Sequence, residues 1–543
     1  MSIANCILQL KTKENIGNFM GVVVALTGAS GNMGVETLKQ VLELECVDKV
    51  KLLLVDEKRE HKDDRKWKKI YGDKVEITFG DIANFDDCKR LVEDSDYVLH
   101  LAAVIPPKAD HNQRATDECN RLGTLNLVNA ICEMEKQPKF VHISTVAIYG
   151  HRDFKHPWGR VGDPLLPSAY DEYAETKIKG ERYVLDSDLK CWVVLRQTGI
   201  LYGNMLMANI SDGLMFHTCY NVPIEWVTAH DSGLMMKHLI ERDVNGSLDK
   251  AFWLKCYNIG GGPSNRITGF ETFDKGFKVI GGSTEKFMSP TWNATRNFHC
   301  FWFEDSRVLN DYLDFWRQSF DDYWKEIADT HKYFALAKIL PPKLISALVL
   351  KPLLRNNNAP KYWLKHGMEG RVVAAFGSVE QAKSLPKKWR EFSVLCKGKN
   401  PDDGTPVDYD DMRDEFKILE HGYRLNHGYD ESKPDSELDI EDMQQAAEFR
   451  GGKCVSKSMT KGDLYTKLEW VCHDGHHFFA TPYTILKAGH WCPECSVPEP
   501  WDYDRLAKDN QFFAQVWYDT HEKNENAVHM FDGKHAPQYR NFE

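Results

Sequence analysis

No run of eighteen apolar residues occurs in the chain, which removes a membrane-spanning helix from consideration. The nearest candidate, Ile339 to Leu354, is interrupted by Pro341, Pro342, Lys343, Lys351 and Pro352. A secretory signal is missing too: Met1 to Phe19 carries Lys11, Lys13 and Glu14 and has no long apolar core. Met20 stands just before the first strand-like run, so residues 1–19 read as a dispensable extension or a start assigned too early. Basic charge is not in excess. The net charge is −11, which argues against broad electrostatic binding to nucleic acid. The 14 cysteines are mostly scattered singly, a pattern of reduced cytoplasmic thiols rather than of a disulfide framework. What remains is an ordinary globular composition, 42% hydrophobic and 27% charged, in 543 residues, too long for one core and enough for two or three domains.

The informative stretch is Val22 to Gly34, VVVALTGASGNMG. An apolar run, Val22 to Leu26, opens into Gly28, Gly31 and Gly34, and apolar residues then recur at helical spacing through Leu42. Gly28 permits a tight turn off a strand. Gly31 lets backbone approach a pyrophosphate, and Gly34 lets the helix pack closely, its N-terminal N–H groups aimed at the anion. The spacing is G-x-x-G-x-x-G. A second strand, Lys51 to Asp56, ends in an acid placed to bind a ribose diol, which favours NAD. Lys58 and Arg59 follow and suit a 2′-phosphate instead. Further strands are predicted at Val75–Phe79, Tyr97–Ala103 and Lys139–Ile143, with a helix over Asn120–Val128. Strand and helix alternate, which predicts an α/β fold: a Rossmann-type, doubly wound parallel sheet.

These segments resemble the extended short-chain dehydrogenase/reductases, the class of sugar-nucleotide epimerases, dehydratases and hydroxysteroid-type dehydrogenases. The resemblance rests on TGASGNMG (27–34), GDI (80–82), HLAA (100–103), NRLGTLNLV (120–128), ISTVAIYG (143–150), YAETK (173–177), LRQTGILYG (195–203) and YNIGGG (257–262), in the family's order. It covers roughly Gly21 to Ile327. It implies cofactor contacts from Gly28, Ser30, Gly31, Asn32, Met33 and Gly34 of the turn, from Asp56, from Asp81 and Ile82 at the adenine, and from Leu101, Ala102 and Ala103 along the cleft.

Tyr173 and Lys177 are four apart, on one face of a helix. A free phenol with a pKa of about 10 is a poor base, and a nearby ammonium favours its phenolate. The resemblance implies hydride transfer between a secondary alcohol or ketone and a nicotinamide, with Tyr173 moving the proton and Lys177 tuning it. It also implies an active hydroxyl four positions before the Tyr149-Gly150 pair, which selects Thr145 over Ser144. Related dehydratases carry an Asp-Glu pair beside that hydroxyl; Val146-Ala147 stand here, so dehydration is disfavoured. His142 and His151 read as structural. A smaller substrate lobe begins near Asn204, where Gln197 has replaced the family's usual Pro just upstream and Asp231 matches an acid of a conserved-type turn. Met205 to Val227 is aromatic and poor in basic residues, which tilts toward a less anionic, partly apolar substrate.

Residues 331–450 read as a mostly helical connector, with Asp439 as N-cap of a helix ending at Gly451-Gly452. In the tail, Cys472 and His476 precede Cys492 and Cys495 by about sixteen residues, a spacing that suits a closed tetrahedral zinc site. Cys454 is a substitute ligand, and His473 and His477 compete with His476. The segment from Gly451 resembles zinc-ribbon domains found near nucleic-acid-handling proteins, although its charges nearly balance and nucleic acid is not favoured. The reading is therefore an extension (1–19), a dehydrogenase-like domain (20–330), a connector (331–450) and a zinc-ribbon-like domain with tail (451–543). It expects a cytoplasmic enzyme, NAD-linked rather than NADP-linked, acting on a small molecule, with a structural zinc independent of the redox site and a homodimer compatible with the family. The competing class is a non-catalytic NAD(P) sensor whose zinc module binds a partner or nucleic acid.

Overall fold

The computed structural model describes residues 21–209, 211–332, 334, 338–495 and 500–530; the extension at 1–19 lies outside them. Seven strands form the central sheet: β1 (Val22–Thr27), β2 (Val47–Leu54), β3 (Val75–Phe79), β4 (Tyr97–His100), β5 (Lys139–Thr145), β6 (Trp192–Gln197) and β7 (Lys255–Ile259). Their order is β7-β6-β5-β4-β1-β2-β3 and every pairing is parallel. The order reverses between β1 and β4, and such a switch point opens a crevice at the carboxyl ends of the strands.

Alternation along the strands divides the core. Val24, Leu26, Val50, Leu52 and Leu99 face one layer, where Leu38 of helix α1 (Asn32–Val41) and Met235, Leu239 and Ile240 of a helix at Ala229–Val244 cover them. Ala25, Leu53, Val98, Phe140 and Val194 face the other, against Leu127 and Ile131 of helix α2 (Gly123–Cys132) and Val184 and Leu185 of helix α3 (Glu172–Leu185). Tyr97–Ala103 was expected to be one strand. Pairing stops at His100, and Leu101 to Val104 leave the sheet as irregular backbone.

The carboxyl-terminal segment joins this second layer. A three-stranded antiparallel ribbon, β8 (Lys453–Cys454), β9 (Leu468–Val471) and β10 (His477–Ala480), contributes Trp470 and Phe478 to the same buried cluster as Leu127 and Val184, together with Tyr483, Leu486 and Trp491. The segment expected to hold a zinc independent of the redox site thus shares its buried cluster, among the described residues, with that sheet face. Between the two parts, helices at Pro360–His366, Glu369–Phe376 and Ile440–Phe449 alternate with long irregular stretches. Asp439 caps the last of these with a reciprocal bond to Asp442, and Gly451 follows at φ +72°.

Candidate active site

β1 delivers the chain to the glycine turn. Gly28 has φ +73°, and a Cβ there would stand 2.6 Å from the Ala102 nitrogen. At Gly34 it would stand 2.0 Å from the Gly28 carbonyl oxygen. Both positions therefore require glycine for the fold itself. Gly31 is less constrained: a Cβ there would make a single tight contact, 3.3 Å from the Gly28 carbonyl oxygen, and the residue lines the cavity described below. It is the N-cap of α1, and no side chain caps the helix or places an acid in its first turn, so the first N–H groups are left for an anion.

A buried network fixes the crevice between β1 and β4. His100 lies 2.9 Å from the Thr27 hydroxyl through Nδ1 and 2.9 Å from the Thr124 hydroxyl through Nε2. Burial, with Lys177 adding to it, pushes the imidazole pKa down to about 3, so the ring is neutral. Thr124 already donates to the Asn120 carbonyl. Nε2–H therefore donates to Thr124, Nδ1 accepts from Thr27, and the Thr27 oxygen is free to accept the Ala102 N–H at 3.2 Å. This ties Leu101-Ala102-Ala103 to the end of β1. His142, opposite His100 on β5, is fully buried and neutral, its protonation opposed first by burial and then by Lys177.

Helix α3 carries Tyr173, Lys177 and Glu181 at successive four-residue intervals on one face. Asp171 caps it, accepting the Ala174 N–H at 3.0 Å. Lys177 is fully buried and donates to the Ile143 carbonyl at 2.6 Å. Burial brings its pKa down to about 8, opposed by Cys119 and Glu181. Burial also pushes the Tyr173 phenol up to about 12, against a hydrogen bond with the Thr145 hydroxyl and with Asp171 adding to the rise. A nearby Lys177 ammonium is expected to lower the Tyr173 pKa. Here the ammonium is drawn to the Ile143 carbonyl, and desolvation sets the phenol instead. Thr145 accepts the Ala147 N–H at 3.2 Å and meets Tyr173, whereas Ser144 Oγ is buried without a hydrogen-bond partner among the described residues.

One cavity of about 450 Å³ joins these parts. Gly28, Gly31, Asn32, Met33, Gly34, Leu101 and Ala103 line one end, and Ser144, Thr145, Tyr173 and Lys177 line its middle. Ser30, Asp56, Asp81, Ile82 and Ala102 are not among its lining residues. Asp56 is an exposed carboxylate bonded to His61 at 2.7 Å, and Arg59 donates to the Ser30 carbonyl at 2.8 Å, which places the Arg59 side chain at the glycine turn. Asp81 closes a local turn by accepting the Ala83 N–H at 2.9 Å, and Ile82 is buried. Asp231 is structural: it accepts the backbone N–H groups of Arg317 and Gln318.

The far end of the cavity was not legible in the sequence. Arg296, Asn358, Trp363 and Arg371 line it, the last three from beyond the dehydrogenase-like pattern. Asn358 donates to Asp110 at 2.9 Å and to Asp212 at 3.2 Å, which holds the connector over the cavity. The scarcity of basic residues in 205–227 therefore does not describe the pocket, because its arginines arrive from elsewhere in the chain.

The tail ligands converge. Cys472 Sγ lies 3.4 Å from His476 Nδ1 and 3.7 Å from Cys495 Sγ, and His476 Nδ1 is 3.3 Å from Cys495 and 3.6 Å from Cys492. A tetrahedron with Zn–S of about 2.3 Å has edges of roughly 3.8 Å, shortening toward nitrogen, so the donor set fits a four-coordinate ion. Cys454 is buried in β8, outside this cluster, and His477 bonds Glu469. The cluster is docked to α3: His490 meets Glu181 at 2.9 Å, Arg182 donates to the Trp491 carbonyl at 2.9 Å, and Arg196 of β6 donates to the Ala488 carbonyl at 2.6 Å.

Residues 24–203 match the family described as "NAD dependent epimerase/dehydratase family". The similarity covers about a third of the chain. Among solved structures, the UDP-glucuronic acid 4-epimerase of Bacillus cereus in complex with NAD is 21% identical, with TM-score 0.41, covering 57% of this chain and 97% of that one. DesIV, a dTDP-glucose 4,6-dehydratase from Streptomyces venezuelae with NAD and TYD bound, is 18% identical, with TM-score 0.46 and the same coverages. A curated relative, an uncharacterized membrane protein of Methanocaldococcus jannaschii, is 28% identical over 138 residues, which are 24% of this chain. The match spans 39% of that relative's length. No helix among the described residues is long and apolar enough to cross a membrane.

Proposed function

We propose that the protein is an NAD(P)-dependent oxidoreductase or epimerase acting at a secondary alcohol or its ketone. The observation that carries this reading is the meeting of Thr145, Tyr173 and Lys177 in a cavity that runs to the glycine turn. A nicotinamide cofactor, when bound, supplies hydride acceptance and donation. The turn around Gly31 and the start of α1 would hold its pyrophosphate. Lys177, anchored on the Ile143 carbonyl, keeps two N–H donors for ribose hydroxyls. Thr145 orients the substrate oxygen; in reduction the Tyr173 phenol gives that oxygen a proton and becomes the phenolate, and in oxidation the phenolate takes the alcohol proton back. The connector's Asn358, Trp363 and Arg371 help close the substrate end against water. Buried Val146 and Ala147 offer no acid pair beside Thr145, so the reading stops at oxidation, reduction or epimerisation.

The same proposal assigns Asp56 to the adenosine ribose, with NAD bound more tightly than NADP. It also assigns Cys472, His476, Cys492 and Cys495 to a structural zinc, closed to substrate because all four ligands are protein groups. Titration of both cofactors, followed by a panel of nucleotide sugars, steroids and other secondary alcohols read by NAD(P)H absorbance, tests the reading. Tighter NADP binding would shift the selector role to Arg59, and no cofactor binding would reject the assignment.

A further inference from the structure

Between Asp329 and Glu369 the sequence has no acidic residue, in a chain of net charge −11. Lys332, Lys338, Lys343, Lys351 and Arg355 are all exposed there. The same segment holds five of the large apolar side chains that the fold leaves in water: Ile339 (80% exposed), Leu340, Leu344, Leu348 (68%) and Val349. The helical stretch over 342–353 is anchored by its other face. Leu350 is buried in the cluster containing Phe287 and Met288, Ile345 and Leu353 pack against that cluster, and Ser346 Oγ donates to the Phe287 carbonyl at 2.7 Å. The outward aliphatics are thus not a misplaced core face; the inner face is already filled.

We propose that 338–355 is an interfacial docking element for a bilayer bearing anionic headgroups. Aliphatic side chains on an outward helical face gain most when they enter the acyl boundary, and lysines around them reach back to lipid phosphates. The charge pattern selects this occupant. A two-fold contact with a second copy would set the same cations against each other with no acid to pair them, whereas an anionic leaflet complements them. The element also adjoins the substrate side. Phe334 packs with the cluster containing Tyr202 and Met205, and both of these line the cavity. Docking would bring that end of the cavity toward the membrane surface.

The test is cosedimentation of the full chain with vesicles of phosphatidylcholine alone and of phosphatidylcholine with about one-third phosphatidylserine, at rising salt. Binding should require the anionic lipid and weaken with salt. Lys343→Gln and Lys351→Gln should each weaken it about fivefold, and Ile339→Ser with Leu348→Ser about tenfold or more. All four side chains are exposed, so circular dichroism and the melting temperature should be unchanged. Failure to bind anionic vesicles, or binding that these variants leave intact, would overturn the proposal. So would sedimentation equilibrium showing a dimer that Leu348→Ser dissociates.

Discussion

At Tyr173 burial and hydrogen bonding pull in opposite directions, and burial prevails, leaving a phenol that is protonated at neutral pH and raised to about 12. A positioned proton donor of this kind contributes about 10²–10⁴-fold. Tyr173→Phe should therefore lower turnover by that range while cofactor binding, read by titration, changes little. Thr145→Val should also slow turnover, and more than Ser144→Ala, because Thr145 alone of the two meets the phenol; the reverse order would move the substrate oxygen to the unpartnered Ser144. Lys177 supplies a pH dependence with a definite sign. Its ammonium is lost as pH rises through about 8, well below the ordinary lysine value. Cofactor affinity should be full below that pH and fall above it, and Lys177→Met should bind weakly at every pH with the dependence gone. Titrations between about pH 6 and 10 check this.

At the scale of elements, helix α3 does two jobs at once. Its amino-terminal half faces the cavity through Tyr173 and Lys177, and its carboxyl-terminal half faces the ribbon through Glu181 and Arg182. Glu181 is fully buried; although burial itself opposes ionisation, Arg196 and His490 hold the carboxyl below the usual range. Removing one member of such a cluster leaves a buried charge unpaired, typically at a cost of about 3–5 kcal/mol. Glu181→Ala should lower unfolding stability in urea by about that amount, and a loss near zero would mean that Arg196 finds another partner. The glycine turn, the strands and the Tyr-Lys helix were legible because each is local: a period, a turn residue, an i to i+4 spacing. Asn358, Trp363 and Arg371 were not, because the contacts that bring them to the cavity join segments more than a hundred residues apart. The end of β4 at His100 was missed for a related reason. Leu101 to Ala103 are apolar enough to continue a strand, but their path is set by the Thr27–Ala102 hydrogen bond and the close approach of Gly28.

Across the whole molecule, the sheet face behind the candidate site is covered by the helix at Phe85–Val92, by α2 and α3 and by the carboxyl-terminal segment, so the Cys472–Cys495 donor cluster stands on the same frame as that site. Trp470, Tyr483, Leu486 and Trp491 share one buried cluster with Val184, Leu185 and Trp192. Cys492 and Cys495 follow His490 and Trp491, whose side chain and carbonyl bond Glu181 and Arg182. Small zinc modules draw much of their folding free energy from the ion. With zinc removed, the knuckle that positions His490 and Trp491 should loosen, the apolar face beneath α3 should become exposed, and α3 should lose the support of its carboxyl-terminal half. Chelation should accordingly weaken NAD binding and raise amide-hydrogen exchange in residues 172–185 as well as after Gly451. Cys492→Ser should do the same and abolish the roughly stoichiometric zinc expected from elemental analysis. A chelated protein whose ribbon exchanges freely while α3 and cofactor affinity are untouched would show that the shared core is adequate without the ion, and that the two sites are coupled only by adjacency.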